Sequence, residues 1–127
     1  MARVLKLEDS EVVKDYLFYR PKGEVKLERV TELAMEAISY ALEHNIGKLV
    51  YNTTGLFGYA PPSIMQRYDA VERCARVAMG KVNVALVTRP ERMDAMKFHE
   101  AVGFNRGLST NVFLTEREAV QWLAAKE

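Results

Sequence analysis

The chain has 127 residues, of which 18 are Lys or Arg and 17 are Asp or Glu, so its formal net charge is +1. Hydrophobic residues make up 49% and charged residues 28%, a composition typical of a globular domain and unlike that of a disordered chain. Acidic and basic residues alternate along the chain instead of forming a basic stripe. We therefore expect no nucleic-acid partner.

The cysteine content and the hydropathy pattern indicate the cellular compartment in which the protein is expected. Cys74 is the single cysteine, which excludes an internal disulfide and the paired spacings of zinc sites. Residues 1–8 lack the apolar core of a signal peptide, and no apolar run is long enough to span a bilayer. We expect a cytoplasmic protein with no transmembrane segment, folded as a single domain over residues 1–127.

The chain begins with predicted strands. Arg3 to Leu7 and Tyr16 to Arg20 have strand-like apolar and aromatic patterns. Pro21 to Gly23 then predicts a turn. The pattern leaves open whether the two strands form a hairpin or two pieces of one edge.

The middle of the chain gives the clearest signals. Apolar residues recur at helical spacing from Leu27 to Leu42, and Asn45 and Gly47 supply a stop signal. A short strand at Lys48 to Tyr51 leads into the loop Asn52 to Ser63. A second helix follows and is predicted to end near Met79, with Pro61 and Pro62 at its start.

The last third repeats this alternation. Val82 to Val87 is apolar on both faces, which is typical of a central parallel strand. A helix is predicted from Thr88 to Phe104, then a strand at Asn111 to Leu114. Thr115 and Glu118 predict a capping box that begins a final amphipathic helix. Strands that alternate with helices in this way favour right-handed crossovers and a mainly parallel sheet.

Four local phrases add to this order of elements: Leu49 to Pro62, Val82 to Val87 with Arg89-Pro90-Glu91, Asn105-Arg106-Gly107, and Val112-Phe113 through Trp122-Leu123. With them the chain resembles the SpoIIAA-like group, which contains the STAS domains, and within it a set of short bacterial STAS-like or CRAL-TRIO-like proteins. The resemblance implies an α/β fold with a four- to five-stranded, mainly parallel (mixed) sheet flanked by about four helices.

In STAS anti-sigma-factor antagonists a hydroxyl residue at the start of the second helix is phosphorylated. The corresponding stretch here is Ala60-Pro61-Pro62-Ser63, where Ser63 is the only hydroxyl. A phosphate there would meet the unpaired N–H groups of a helix N-terminus. The alternative is an ordinary polar residue in the first helical turn.

The loop 52–63 is the predicted functional segment, because ligands of open α/β sheets bind outside the carboxyl ends of the strands. Its two aromatic residues are potential partner anchors, although they fit equally well as a cover for the sheet end. Gly55 and Gly58 are most simply explained by turn geometry. The candidate switch or partner-contact residues are Asn52, Thr53, Thr54, Phe57, Tyr59 and Ser63.

The leading functional hypothesis is a non-enzymatic STAS-like regulatory domain that binds a protein partner through this loop and the start of the second helix. The alternative is a CRAL-TRIO-like carrier of a small apolar ligand or lipid fragment, with a pocket lined by Phe57, Met65 and Phe98. An acyltransferase, suggested by the phrase Lys97 to Phe104, ranks last.

No cofactor and no metal are predicted, since His44 and His99 lie in polar helical contexts without ligand spacing. An exposed edge strand or apolar helix face often pairs, so a homodimer is a further expectation.

Overall fold

The computed structural model describes residues 7–93 and 107–126. Within these ranges the elements are seven strands, three α-helices and one 3-10 turn. The strands are β1 (Ser10–Val13), β2 (Tyr16–Tyr19), β3 (Lys22–Glu24), β4 (Lys48–Asn52), β5 (Gly55–Phe57), β6 (Asn83–Val87) and β7 (Thr110–Phe113). The helices are α1 (Leu27–Glu43), α2 (Ile64–Ala78) and α3 (Glu116–Ala124), and the 3-10 turn is Pro90–Arg92.

The main sheet has five strands in the order β1-β2-β4-β6-β7. The pairs β2–β4, β4–β6 and β6–β7 are parallel, whereas β1 pairs antiparallel with β2. The α/β class and the mainly parallel, mixed sheet flanked by helices are therefore confirmed. The predicted helix over Thr88 to Phe104 lies mostly outside the described residues.

The sheet separates two apolar cores, because successive side chains of a strand point to opposite faces. Leu49 and Tyr51 of β4 pack with α1 and α2 on one face. Val50, between them, packs with Ala119 and Leu123 of α3 on the other. Helices α1 and α2 thus lie on one face of the sheet and α3 on the opposite face.

Strands β1 and β2 form a hairpin. The alternative left open by the sequence concerned Arg3 to Leu7, and residues 3–6 lie outside the described ranges. Val13 pairs with Tyr16 across a tight turn, and Lys14 in that turn has a positive φ of 56°. The strand β1 (Ser10–Val13) lies later than the predicted Arg3 to Leu7, of which only Leu7 is described. Its exposed residues give no apolar alternation for a sequence pattern to detect.

A second, two-stranded sheet pairs β3 with β5 in parallel. The sequence predicted a turn at Pro21 to Gly23 and an unbroken loop after β4, so both short strands were missed. Gly58, directly after β5, has φ of 91°, and an added Cβ would approach the Cγ of Glu24 to 2.7 Å. Turn geometry and close packing therefore account for this glycine.

Candidate functional site

The loop 52–63 leaves the sheet at the carboxyl ends of β4 and β6, as predicted. Thr53 begins it, and both its backbone N–H and its hydroxyl donate to the carbonyl of Val87, at 2.9 and 3.0 Å. The Thr53 side chain is buried. Its hydroxyl is therefore committed to extending the contact between β4 and β6 beyond the end of the ladder.

Asn52 is also engaged within the protein. Its side-chain amide donates to Glu116 at 2.8 Å. Its carbonyl oxygen accepts from the N–H and the hydroxyl of Thr54, at 2.9 and 2.7 Å. This Asx-type turn orders the start of the loop, so Asn52 and Thr54 have a structural role here.

Glu116, at the first position of α3, joins three elements. Arg20, after β2, donates to its carboxylate with two nitrogens, at 2.7 and 3.0 Å. The hydrogen bond from Arg20 lowers the pKa of Glu116, and the bond from Asn52 adds to this effect. Sequence reasoning missed this network, because residues 20, 52 and 116 meet only through the order of the strands.

Three arginines hold the loop through its backbone carbonyls. Arg67 lies in α2, Arg89 directly precedes the 3-10 turn, and Arg92 is the last residue of that turn. Their side chains reach the same stretch of seven residues, 56–62, which is consequently braced from several sides. The pairs are Arg89 with Leu56, Arg92 with Tyr59 at 3.1 Å, and Arg67 with Pro62 at 3.2 Å.

The aromatic residues of the loop differ in exposure. Tyr59 is buried, and the guanidinium of Arg92 lies 3.9 Å from the centre of its ring, a favourable cation–π contact. Phe57 is 50% exposed. Each of the two explanations therefore fits one ring: Tyr59 covers the sheet end, whereas Phe57 faces solvent as a partner anchor would.

Ser63 is the N-cap of α2. Its hydroxyl accepts from the N–H of Gln66 at 3.2 Å, and the Gln66 side chain accepts from the N–H of Ser63 at 2.8 Å. This reciprocal pair is a capping box. The sequence Ser63-x-x-Gln66 carries that signal, but the prediction placed Ser63 within the first turn.

Exposed apolar side chains continue from the loop onto α2. Ile64 is 59% exposed, Met65 76% and Tyr68 38%. Exposed apolar side chains clustered in this way often mark interaction surfaces. We refer to Ile64, Met65 and Tyr68, which lie within the first five residues of α2, as the apolar cluster.

A cavity of about 470 Å³ lies between α1, α2 and the sheet. Its lining is mainly apolar, with a few hydroxyls and charged side chains at the edge. Met65 and Tyr59 line it, Phe57 does not, and Phe98 lies outside the described residues. The α1 side is formed by Leu27, Glu28, Val30, Thr31, Ala34 and Ile38. The α2 side, together with the segment before it, is formed by Tyr59, Pro62, Met65, Gln66, Arg67, Asp69, Ala70, Val71 and Cys74. The sheet side is formed by Tyr51, Thr53, Val84, Leu86, Leu108 and Thr110.

Two contacts fix the walls of this cavity. The Tyr51 hydroxyl donates to the carbonyl of Val30 at 2.7 Å, joining β4 to α1. Arg73 of α2 donates to both carboxylate oxygens of Glu28, at 3.1 and 2.8 Å. Both helices are thus tied in place by polar bonds as well as by packing.

Cys74 is buried and lines the cavity, as expected for a structural thiol. Burial raises the pKa of its thiol to about 11, so the thiolate is scarce at neutral pH. His44 is exposed and stacks on Tyr40, which confirms its predicted surface position. His99 is outside the described residues.

The described ranges, 7–93 and 107–126, contain no helix that is long and apolar enough to cross a membrane. They also contain no group of three or more His, Cys, Asp or Glu side chains arranged to hold a metal ion.

Comparison with known proteins adds a fold neighbour. No family model and no curated protein matches the chain. A solved structure titled "NMR Structure of the protein TM1081" aligns over 99% of this chain and 95% of its own, with a TM-score of 0.56 and 12% identity. At that identity the likeness concerns the fold alone, and it agrees with the α/β architecture described above.

Proposed function

We propose that the protein binds a small, mainly apolar molecule in the cavity between α1, α2 and the sheet. The observation that carries the proposal is the cavity itself. Its volume of about 470 Å³ falls within the roughly 300–1,000 Å³ range of small-molecule sites. An apolar lining with a few polar groups at the edge is also the usual composition of such sites.

The bracing of the walls supports the same proposal. A cavity that exists before the ligand arrives avoids the entropic cost of ordering side chains upon binding. The Tyr51–Val30 bond and the packing of Ile38 of α1 and Val71 of α2 in one core hold both helices on the sheet, whereas the exposed Arg73–Glu28 pair adds little. These contacts form the walls without a ligand, which is usual for ligand pockets.

A neutral fluorescent probe tests this function. N-phenylnaphthylamine fluoresces strongly in apolar surroundings, and we expect it to bind the native protein in a saturable manner. Ala70→Phe places a ring into the cavity that Ala70 lines and should abolish the signal. Ala124→Phe, at an exposed position of α3 on the opposite face, is the matched control and should bind the probe normally.

The stability of both variants is checked by urea unfolding. A native-like unfolding midpoint for Ala70→Phe shows that its loss of binding comes from the filled cavity. If the folded Ala70→Phe protein still bound the probe as well as the native protein does, this cavity would not be the site.

A second candidate function is the STAS-like regulatory one, with a protein partner bound at the loop and the start of α2. The apolar cluster favours it, since Ile64 and Met65 are more than half exposed at the very start of α2. In this candidate Phe57 is the anchor from the loop, whereas the buried Tyr59 supports the loop from within.

The second candidate is tested with charge substitutions in the apolar cluster. Ile64→Glu and Met65→Glu should each remove a specific binding partner captured from the host lysate. Ser39→Glu, at an exposed position of α1, should retain it. Capture of the same polypeptides by all of these proteins would contradict the candidate.

A further inference from the structure

The cavity is elongated and follows both helices. Leu27 and Ile38 of α1 both line it, and eleven residues of helix separate them by about 16 Å along the axis. On the facing helix α2 the lining runs from Met65 to Cys74. A flexible hydrocarbon chain suits this shape better than a compact molecule does.

The charged side chains at the cavity balance one another. Those that line it are Glu28, Arg67 and Asp69. Arg73, next to the lining, donates to Glu28 at 3.1 and 2.8 Å and to Asp69 at 3.3 Å. Arg67 donates to the carbonyl of Pro62 at 3.2 Å. Two acidic and two basic side chains therefore stand together, and this set has no net charge that would attract an ion.

The deeper part of the lining also offers nothing to a charged ligand. Ile38 of α1 and Val71 of α2 are buried there, and Ala34 and Leu86 are further aliphatic lining residues. An ion in these surroundings would lose its hydration without gaining a counter-charge, which costs far more than the transfer of a neutral hydroxyl. The cavity therefore favours an uncharged ligand.

The hydroxyl of Tyr59 is a polar group that such a ligand can use. The hydroxyls of Tyr51 and Thr53 also belong to the lining, but both donate to backbone carbonyls. Tyr59 is 7% exposed and has Arg92 at its ring and at its backbone carbonyl. Its hydroxyl has no hydrogen-bond partner within residues 7–93 and 107–126. Buried polar groups are usually hydrogen-bonded, so this hydroxyl is available to a ligand in the cavity that Tyr59 lines.

We propose that the ligand is an uncharged amphiphile, whose hydrocarbon chain lies between α1 and α2 and whose single hydroxyl or carbonyl group accepts a hydrogen bond from Tyr59. This inference rests on the proposed apolar-ligand function and specifies the chemical class of the ligand. A few well-placed polar groups orient the ligand in a mainly apolar site, and Tyr59 has that role here.

Three probes with the same hydrocarbon chain test the charge of the ligand: octanol, octanoate and octylammonium. Their affinities near neutral pH are measured by displacement of N-phenylnaphthylamine from the native protein. We expect octanol to bind about tenfold more tightly than either ion. An ion that binds as tightly as octanol would overturn the uncharged class.

Arg73→Gln tests the balance of charge, because it leaves Glu28 and Asp69 without their shared partner. We expect octylammonium to gain affinity relative to octanol in this variant. Arg76→Gln is the matched control on the same helix, since Arg76 pairs with Glu72, and it should keep the native ratio. A native ratio in Arg73→Gln as well would contradict the argument from charge.

Tyr59→Phe tests the polar contact, because it removes the hydroxyl and keeps the ring beside Arg92. The affinity for octanol should fall about fivefold, whereas that for octyl chloride, which has no hydroxyl, should stay at the native value. Tyr16→Phe is the control, since Tyr16 packs against the core on the opposite face of the sheet. Native affinity of Tyr59→Phe for octanol would overturn the contact.

The outcomes separate this inference from the function beneath it. If N-phenylnaphthylamine binds the native protein and none of the octyl probes displaces it, the amphiphile is overturned while the apolar-ligand function stands. If N-phenylnaphthylamine itself does not bind, both are overturned.

Discussion

At the scale of single residues, the polar side chains of the loop 52–63 serve its own structure. The Thr53 hydroxyl is buried against the carbonyl of Val87, and Asn52 connects Thr54 to Glu116. The sequence placed these residues correctly at the end of a strand. It did not identify their distant hydrogen-bond partners, because Val87 and Glu116 are each more than 30 residues away along the chain. Only the bond between Asn52 and Thr54 is local.

Thr53→Val tests the structural role of the buried hydroxyl. The substitution keeps the shape of the side chain and removes one hydrogen bond, so we expect the free energy of unfolding to fall by about 1 kcal/mol. Thr54→Ser, at an exposed position, keeps the hydroxyl that bonds Asn52 and should change it by less than about 0.5 kcal/mol. Urea unfolding measures both, and equal effects would contradict the assignment.

Glu116→Gln tests the network that joins Arg20, Asn52 and α3. The pKa of Glu116 is lowered in the folded protein, so its stabilisation is present above the unfolded pKa and is lost as the pH falls through the folded pKa. We expect a loss of about 1 kcal/mol near neutral pH, discounted for partial exposure of Arg20.

The pH dependence is the decisive part of that measurement. The difference in unfolding free energy between native protein and Glu116→Gln should shrink as the pH falls below about 4.3, the usual glutamate value. Glu72→Gln is the control, since Glu72 and Arg76 form an exposed pair at 3.5 Å that contributes little. A pH-independent difference would show that the carboxylate charge is not involved.

At the scale of elements, the long periodic segments were predictable and the short ones were not. Helices α1 and α2 follow an apolar repeat over 17 and 15 residues. Strands β3 and β5 have three residues each and contain Gly23 and Gly55. Three residues are too few for the apolar alternation that identifies a strand in a sequence. These two strands form because they pair with each other.

Ser63 shows how an element boundary is encoded. Ser63→Ala removes the cap of α2 and should lower the free energy of unfolding by about 1 kcal/mol. Ser63→Asp keeps an acceptor and adds a negative charge at the positive end of the helix, so its stability should equal or exceed that of the native protein. Thermal unfolding of the two variants checks this order, and a loss in Ser63→Asp similar to that in Ser63→Ala would contradict the capping role.

At the scale of the whole molecule, the order of the strands brings the loop, the arginines and the cavity together. The carboxyl-end rule for α/β sheets located the loop in advance. Of the pocket residues predicted from the sequence, Met65 lines the cavity and Phe57 does not. The rest of the lining comes from α1, α2, β4, β6, the loop and the segment 108–110. Which surfaces of these elements leave space between them depends on packing in three dimensions, and a linear pattern does not contain that information.

Cys74 is the most direct reporter of a ligand between α1, α2 and the sheet, because it is the single cysteine of the chain and lines this cavity. The measurement is the rate of alkylation of the native protein at fixed pH, without and with saturating N-phenylnaphthylamine. We expect the bound probe to slow the reaction in proportion to occupancy. An unchanged alkylation rate while the fluorescence shows saturation would place the ligand elsewhere and rule out this cavity as the binding site.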